Sequence, residues 1–194
     1  RWLRPDQRCL PLLVPMVAEA EPRIAAWRAA ADALVDEVRA GKRVVLLCEG
    51  DVSLFATGSY VQLALRRRHP DVPFALIPGI PSVCAAAAAA AAVEGSHDIP
   101  LAFQQEGLLI RPCPETEPEF TALLDSARRA STVLGLLKVG QRWSWVRAAL
   151  DQAGLLDQAL FAQRVGWPDQ WVAPARAVPD DVKPYFSLLL VRQL

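Results

Sequence analysis

Apolar positions recur along this chain at spacings that change from one segment to the next, and the spacing predicts the elements. In PRIAAWRAAADALVDEVRAG, the residues Ile24, Trp27, Ala31, Leu34, Val35 and Val38 fall at three- and four-residue steps. Those steps lie on one helical face; Pro22 suits a first turn and Gly41 a C-cap, so an amphipathic helix is predicted. Val44 to Cys48, VVLLC, has no alternation, as expected of a strand covered on both faces. Glu49-Gly50-Asp51 follows, and in SLFATGSYVQLALRRRHP the residues Tyr60, Val61, Leu63, Ala64 and Leu65 give a second helical face. Phe74 to Ile77 predicts another short strand, closed by Pro78-Gly79. Pro81-Ser82 then opens an alanine-rich helix; Ser82 is placed either to cap it or to face a ligand, and both alternatives stay open.

Gly95 to Asp98 breaks that helix, and the pattern changes. Ile99 to Phe103 and Leu108 to Ile110 predict strands around a turn at Gln104 to Gly107. The switch from strand–helix alternation to consecutive strands marks an expected boundary, with an α/β domain over 1–97 and a second over 98–194. A helix over Glu115 to Arg129, a strand over Thr132 to Leu137, a helix over Trp145 to Ala153 and strands over Leu160 to Val165 and Phe186 to Val191 complete the second domain. Arg1 to Pro15 predicts an edge strand or an extended lead-in. The expected fold class is therefore α/β in two domains, with a mostly parallel first sheet and a mixed second one. The loops Glu49 to Asp51 and Pro78 to Ser82 follow strands and pair Gly with polar residues, where an open parallel sheet holds its ligand.

Composition narrows the partners. The 194 residues carry 21 Lys and Arg against 21 Asp and Glu, so no net field draws the chain to nucleic acid or anionic lipid. The longest apolar tract, Val83 to Val93, is shorter than the ~20 residues that span a bilayer. The N-terminal RWLRPDQRCLPLLVPM lacks the continuous apolar stretch of a signal peptide. A soluble, cytoplasmic protein with a small-molecule partner, no nucleic acid and no membrane is expected. Cys9, Cys48, Cys84 and Cys113 form no CxxC pair and have no His at ligand spacing, so no metal site and no disulfide framework is indicated; free buried thiols are expected, with Cys48 and Cys84 in apolar runs. His69 and His97 are expected at the surface, although a triad assembled from distant residues stays open. Arg66, Arg67 and Arg68 fit a solvated last helical turn better than an anion site.

Two segments, EGDVSLFATGSYVQLAL and PFALIPGIPSVCAAAA, resemble the GDP-loop and PG(I/V)TS segments of the tetrapyrrole methylases, the class III S-adenosylmethionine-dependent methyltransferases. LLVPM before the first helix, VLGLLKVGQ in the second half and the terminal PYFSLLLV agree in the same order. Within the family the likeness is greatest to the precorrin-2 C20-methyltransferase branch of cobalamin biosynthesis. The resemblance implies a homodimer of two α/β domains, S-adenosylmethionine as cofactor with S-adenosylhomocysteine as product, and a tetrapyrrole substrate. It implies that Gly50, Asp51 and Leu54 line the methionine and ribose side of the cofactor, that Pro81 and Ser82 fall on the Thr-Ser pair of the second loop, and that Leu137 flanks the adenine. Gly permits close backbone approach, Asp51 can accept from a hydroxyl or ammonium, and Ser82 both donates and accepts. The catalytic base stays unassigned, and Arg142, Lys138 and Arg164 are candidates for substrate carboxylates by charge and location alone.

The chain also departs from the family pattern. The family's Pro after Gly-Asp is Val52 here, and its Thr after the Pro-Gly loop is Pro81, which loses a hydroxyl and an N–H. Nothing resembles the family's opening strand and GxGPGD loop, whose absence would leave the first sheet's neighbouring strands with unpaired edges. The chain is then a piece of a longer protein or a diverged homologue, and the alternative function is a non-catalytic binding or assembly subunit. A generic nucleotide-binding protein is disfavoured, since no GxGxxG or GxxxxGK[ST] run occurs.

Overall fold

The structure, a computed structural model, describes residues 3–93 and 100–193. The chain divides into two compact units, Arg1–Ile80 and Pro81–Leu194.

The first unit is built on α1 (Ala20–Arg39) and α2 (Thr57–Arg68). Their apolar faces meet in a cluster of Ala30, Ala31, Leu34 and Val61, with Trp27, Val44, Ala64 and Leu65 packed against it. Gly41 ends α1 as expected: its φ of 79° is the left-handed conformation that glycine adopts without penalty, and its N–H donates to Val38 O at 2.9 Å. Trp27 stacks on Tyr60 with ring centroids 4.1 Å apart. Arg68 grips Asp32 through Nε and Nη2 at 3.0 and 2.8 Å, and His69 Nε2 lies 2.6 Å from the same carboxylate. His69 is therefore a half-buried tie between the helices and not the surface residue expected from its local sequence. Its acidic partner is 37 residues away, where local reading does not see it.

The two strands expected in this unit do not form. Residues 44–48 and 74–77 have no ladder partner among the described residues, and Val45, Leu47 and Ile77 stand 74%, 79% and 81% exposed. A strand exists only through its neighbours' hydrogen bonds, so an apolar run without a partner beside it stays irregular however strongly it favours a sheet. The mostly parallel first sheet is accordingly absent from the described residues.

The second unit is a five-stranded mixed sheet of order β1-β2-β5-β3-β4, formed by β1 (Gly107–Pro112), β2 (Thr132–Leu137), β3 (Ala159–Gln163), β4 (Trp171–Pro174) and β5 (Ser187–Val191). Only β1 and β2 run parallel, joined by α4 (Glu117–Arg129). The apolar runs make sense once both faces are covered. On one face Leu134, Leu136, Phe161, Leu189 and Val191 pack under α4 and α5 (Trp143–Gln152), against Phe120, Leu124, Trp143 and Leu150. The alternate residues Leu160, Ala162, Leu188 and Leu190 meet Val83, Ala86 and Ala90 of α3 (Ser82–Ala90) on the other. Period two puts successive side chains on opposite faces, so a sheet buried twice needs apolar residues at every position. Each fully buried Leu or Phe contributes about 1.5–3 kcal/mol relative to exposure.

Burying α3 against this sheet groups it with the strands that follow it. Gly135 makes room for that contact, since a Cβ there would stand 3.0 Å from Val83 Cγ1. Other differences are local. Pro100 to Phe103 forms no strand; the carbonyl of Phe103 instead accepts from Glu106 N at 2.7 Å in a turn. The break expected at Gly95 to Asp98, and with it Ile99, lies outside the described residues. The short edge strand β4, WVAP, ends in a proline and escapes the alternation rule. Cys84 and Cys9 are exposed and Cys48 half-buried, leaving Cys113 the buried thiol; Cys84 points outward because α3 buries its Val83 and Ala86 flank instead.

Candidate ligand loops and the family

In the first unit, the loop after residue 48 is shaped by one carboxylate. Asp51 Oδ1 accepts from the N–H of Ser53 at 2.8 Å and from the Ser53 hydroxyl, and Oδ2 accepts from Gly79 N at 2.8 Å. Asp51 thus clasps the two glycine loops together. It does not cap α2, whose N-cap is Ala56. Three of the roughly four acceptor positions of a carboxylate are used, which leaves one open. Hydrogen bonds from the Ser53 hydroxyl, Gly79 N–H and Ser53 N–H hold its pKa below the ordinary value and keep it ionised.

The glycines explain why the loops come so close. Gly50 has φ 71° and, lacking a side chain, lets the second loop lie against it; a Cβ on Gly79 would stand 2.0 Å from Gly50 O. Leu54 follows in the same turn, half-buried, with its N–H donating to Asp51 O at 3.2 Å. Of the expected site residues, Gly50, Asp51 and Leu54 are therefore gathered in one loop. Ser53 and Gly79, which the sequence reading left unassigned, are what hold it. The signal for Gly79 was present in Pro78-Gly79, whereas the Ser53 contact is an i+2 side-chain turn of the kind Asp forms in loops.

In the second unit, Pro81 and Ser82 open α3. Pro81 is the N-cap, and Ser82, the first helical residue, is exposed and makes no capping hydrogen bond. Among the described residues its hydroxyl has no hydrogen-bond partner. Leu137 ends β2, half-buried, and packs against the cluster containing Val83, the residue after Ser82. Past Leu137 the chain turns through Lys138 (φ 59°) and Gly140 (φ 45°), and Gly140 N donates to Ser187 Oγ at 2.9 Å. These residues lie at the carboxyl end of the parallel pair, the end at which open sheets bind ligands.

Of the other expectations, the arginine run does structural work: Arg68 pairs with Asp32 and Arg66 lies over the Phe74 ring at 5.6 Å. Arg142 pairs with Glu115 and also donates to Lys138 O at 3.0 Å; Arg164 pairs with Asp169. Burial pushes the Cys113 thiol up to about 11. Among the described residues no group of three His, Cys, Asp or Glu is placed to hold a metal, and no helix is long and apolar enough to cross a membrane. His97 lies outside the described residues.

A five-stranded mixed sheet covered by helices in one unit, and a helix pair with two glycine loops in backbone contact in the other, define the chain as an α/β protein. Its particular family follows from the whole length. Residues 1–177 match the family model described as Tetrapyrrole (Corrin/Porphyrin) Methylases, and the chain belongs to this family of S-adenosylmethionine-dependent methyltransferases. It is 33% identical over 181 residues to a cobalt-precorrin-2 C(20)-methyltransferase from Salmonella typhimurium, covering 92% of this chain and 70% of that one. It is 30% identical over 197 residues to a precorrin-2 C(20)-methyltransferase from a Sinorhizobium species, covering 97% and 75%. Among solved structures, a cobalt precorrin-4 methyltransferase, CbiF, shares the fold with a TM-score of 0.57 and 26% identity, over 84% of this chain and 69% of that one.

Proposed function

We propose that this chain transfers a methyl group from S-adenosylmethionine to C20 of a precorrin-2-type tetrapyrrole in cobalamin biosynthesis. The observation that carries the reading is the likeness over 92% of the chain to a relative named for that reaction. The same likeness disfavours a non-catalytic subunit. A cytoplasmic homodimer remains part of the proposal and rests on the family resemblance.

Each unit, taken by itself, carries groups suited to part of the cofactor. In the first, Gly50 offers bare backbone, Asp51 has an open acceptor position for a ribose hydroxyl, and Leu54 adds an apolar edge. In the second, the free Ser82 hydroxyl beside Pro81 and the apolar side chain of Leu137 supply a polar contact and a flank for the adenine. When bound, S-adenosylmethionine supplies an already activated methyl group. The residues therefore have to bind, align and exclude water, and little acid–base chemistry is required of them.

The test is incubation with S-adenosylmethionine and either metal-free or cobalt-bearing precorrin-2, read by mass spectrometry and NMR. Gain of one methyl group at C20 is expected. A folded protein that binds S-adenosylhomocysteine yet methylates neither substrate would sink the C20 assignment, and one that binds no S-adenosylhomocysteine would sink the cofactor site.

A further inference from the structure

Three exposed aromatic rings lie together at the carboxyl end of the second unit's sheet. Trp167, Tyr185 and Phe186 are 43%, 47% and 50% exposed, although two of them directly precede the wholly buried strand β5. Trp167 and Phe186 have centroids 5.7 Å apart, and Phe186 and Tyr185 5.3 Å. The sheet brings them together. Arg164 N donates to Phe186 O at 2.8 Å, extending the β3–β5 ladder by one pair, and Val139 N donates to Ser187 O at 3.2 Å on the other side. The ends of β2 and β3 and the start of β5 thus converge on one patch.

Cations border the rings. Lys138 Nζ lies 5.7 Å from the Tyr185 centroid and pairs with no carboxylate among the described residues. Its left-handed backbone, φ 59°, is held by the bond from Arg142 to its carbonyl. Arg164, also left-handed at φ 47°, lies 5.9 Å from the Trp167 centroid and is paired with Asp169. Arg142 is paired with Glu115. Two acidic partners stand against three cations, so the patch has a positive excess, and a bulky cationic residue in the left-handed region is uncommon enough to need a reason. The rings are tilted to one another, by 39° for Trp167 and Phe186 and 80° for Tyr185 and Phe186, so the patch offers both ring faces and ring edges, and such exposed aromatic surface with excess positive charge complements a conjugated ring system carrying carboxylates.

We infer that Trp167, Tyr185 and Phe186, with Lys138, form the platform against which the tetrapyrrole macrocycle packs, and that Lys138 receives one of its carboxylates. This rests on the methyltransferase reading above and names the residues that hold its substrate. The rings supply affinity for the conjugated face, as aromatic side chains do for stacked bases, and the lysine supplies selection for carboxylated over bare macrocycles.

The probe is uroporphyrin, a porphyrin bearing acetate and propionate arms, titrated into the protein while the Soret band and tryptophan fluorescence are followed. Each protein is also titrated with S-adenosylhomocysteine by calorimetry. Trp167→Ala and Phe186→Ala are expected to weaken uroporphyrin binding about tenfold or more while leaving S-adenosylhomocysteine affinity unchanged. Lys138→Asn, a residue that tolerates the left-handed backbone, is expected to narrow the preference for uroporphyrin over the less carboxylated coproporphyrin. Circular dichroism and urea midpoints check folding, and half-exposed rings can be removed at little cost to stability. Unchanged uroporphyrin affinity in both ring variants overturns the proposal, as does loss of S-adenosylhomocysteine binding in its place, which would make the rings a cofactor surface. Monomerisation of a wild-type dimer by the ring substitutions with porphyrin affinity intact also overturns it, assigning the patch to a second copy of the chain. Wild-type protein that binds S-adenosylhomocysteine but not uroporphyrin refutes the platform and leaves the cofactor site standing; protein that binds neither refutes the reading beneath it.

Discussion

Gly79→Ala should separate the two ligand loops of the first unit. The added Cβ would lie 2.0 Å from Gly50 O, closer than the 3.0 Å below which such contacts essentially never occur, and the obstacle is backbone, which has no rotamer to change. The loops must therefore part by about 1 Å, the kind of overpacking that costs about 1–3 kcal/mol. The same displacement stretches the 2.8 Å bond from Gly79 N to Asp51 Oδ2 beyond hydrogen-bonding range. Gly154→Ala is the control. Gly154 has φ 68° with nothing within 4 Å, so alanine there pays backbone strain of roughly 1–2 kcal/mol and meets no neighbour. Hydrogen–deuterium exchange and calorimetric titration with S-adenosylhomocysteine separate the two. Gly79→Ala should speed exchange at the amides of Ser53, Leu54 and Gly79, all bonded to Asp51, and weaken the ligand about tenfold or more. Gly154→Ala should do neither at a similar overall loss of stability. Wild-type exchange and affinity in Gly79→Ala would refute the idea that the clasp organises the site, and so would equal effects from both substitutions.

Asp51 also sets a pH dependence. Its pKa is lowered from 3.8, so the clasp is fully present above that value and is lost as pH falls through the lowered one. Affinity for S-adenosylhomocysteine should therefore decline more steeply below about pH 4 in the wild type than in Asp51→Asn, which has one acceptor oxygen and cannot satisfy both Ser53 and Gly79 at any pH; parallel curves would refute this. Phe161→Ala removes a fully buried ring that touches Trp143 and Trp171 at 4.7 and 6.0 Å, and should cost about 3–5 kcal/mol in urea unfolding, a loss under about 1 kcal/mol counting against the packing described. Because burial pushes the Cys113 thiol up to about 11, iodoacetamide near pH 8 should label exposed Cys9 and Cys84 in the folded protein and reach Cys113 only after unfolding; native labelling of Cys113 at their rate would contradict its burial.

How much of this was legible beforehand differs between the two halves. Thr132 to Leu137 appears with the expected limits, and α1, α4, α5, β3 and β5 within a few residues of them. Each carries its instruction locally, in a helical stripe or an unbroken apolar run with a glycine or proline near its end. Val44 to Cys48 carries an equally plain run and forms no strand, because pairing depends on what lies beside a segment and nothing in VVLLC states that. The same limit hid the tie between His69 and Asp32.

The sequence by itself determined the family, the placing of glycines and acids in the two loops, and most strands and helices of the second sheet, since motif spacing and side-chain period are properties of neighbours along the chain. Only the tertiary structure decided that Asp51 spends most of its acceptor capacity on Ser53 and Gly79, that α3 belongs with the second sheet, and that Lys138, Trp167, Tyr185 and Phe186 share one patch. The patch residues come from three separate segments, which meet because antiparallel β5 lies between β2 and β3. Strand order is fixed by packing both faces of the sheet at once, a condition that no single segment contains.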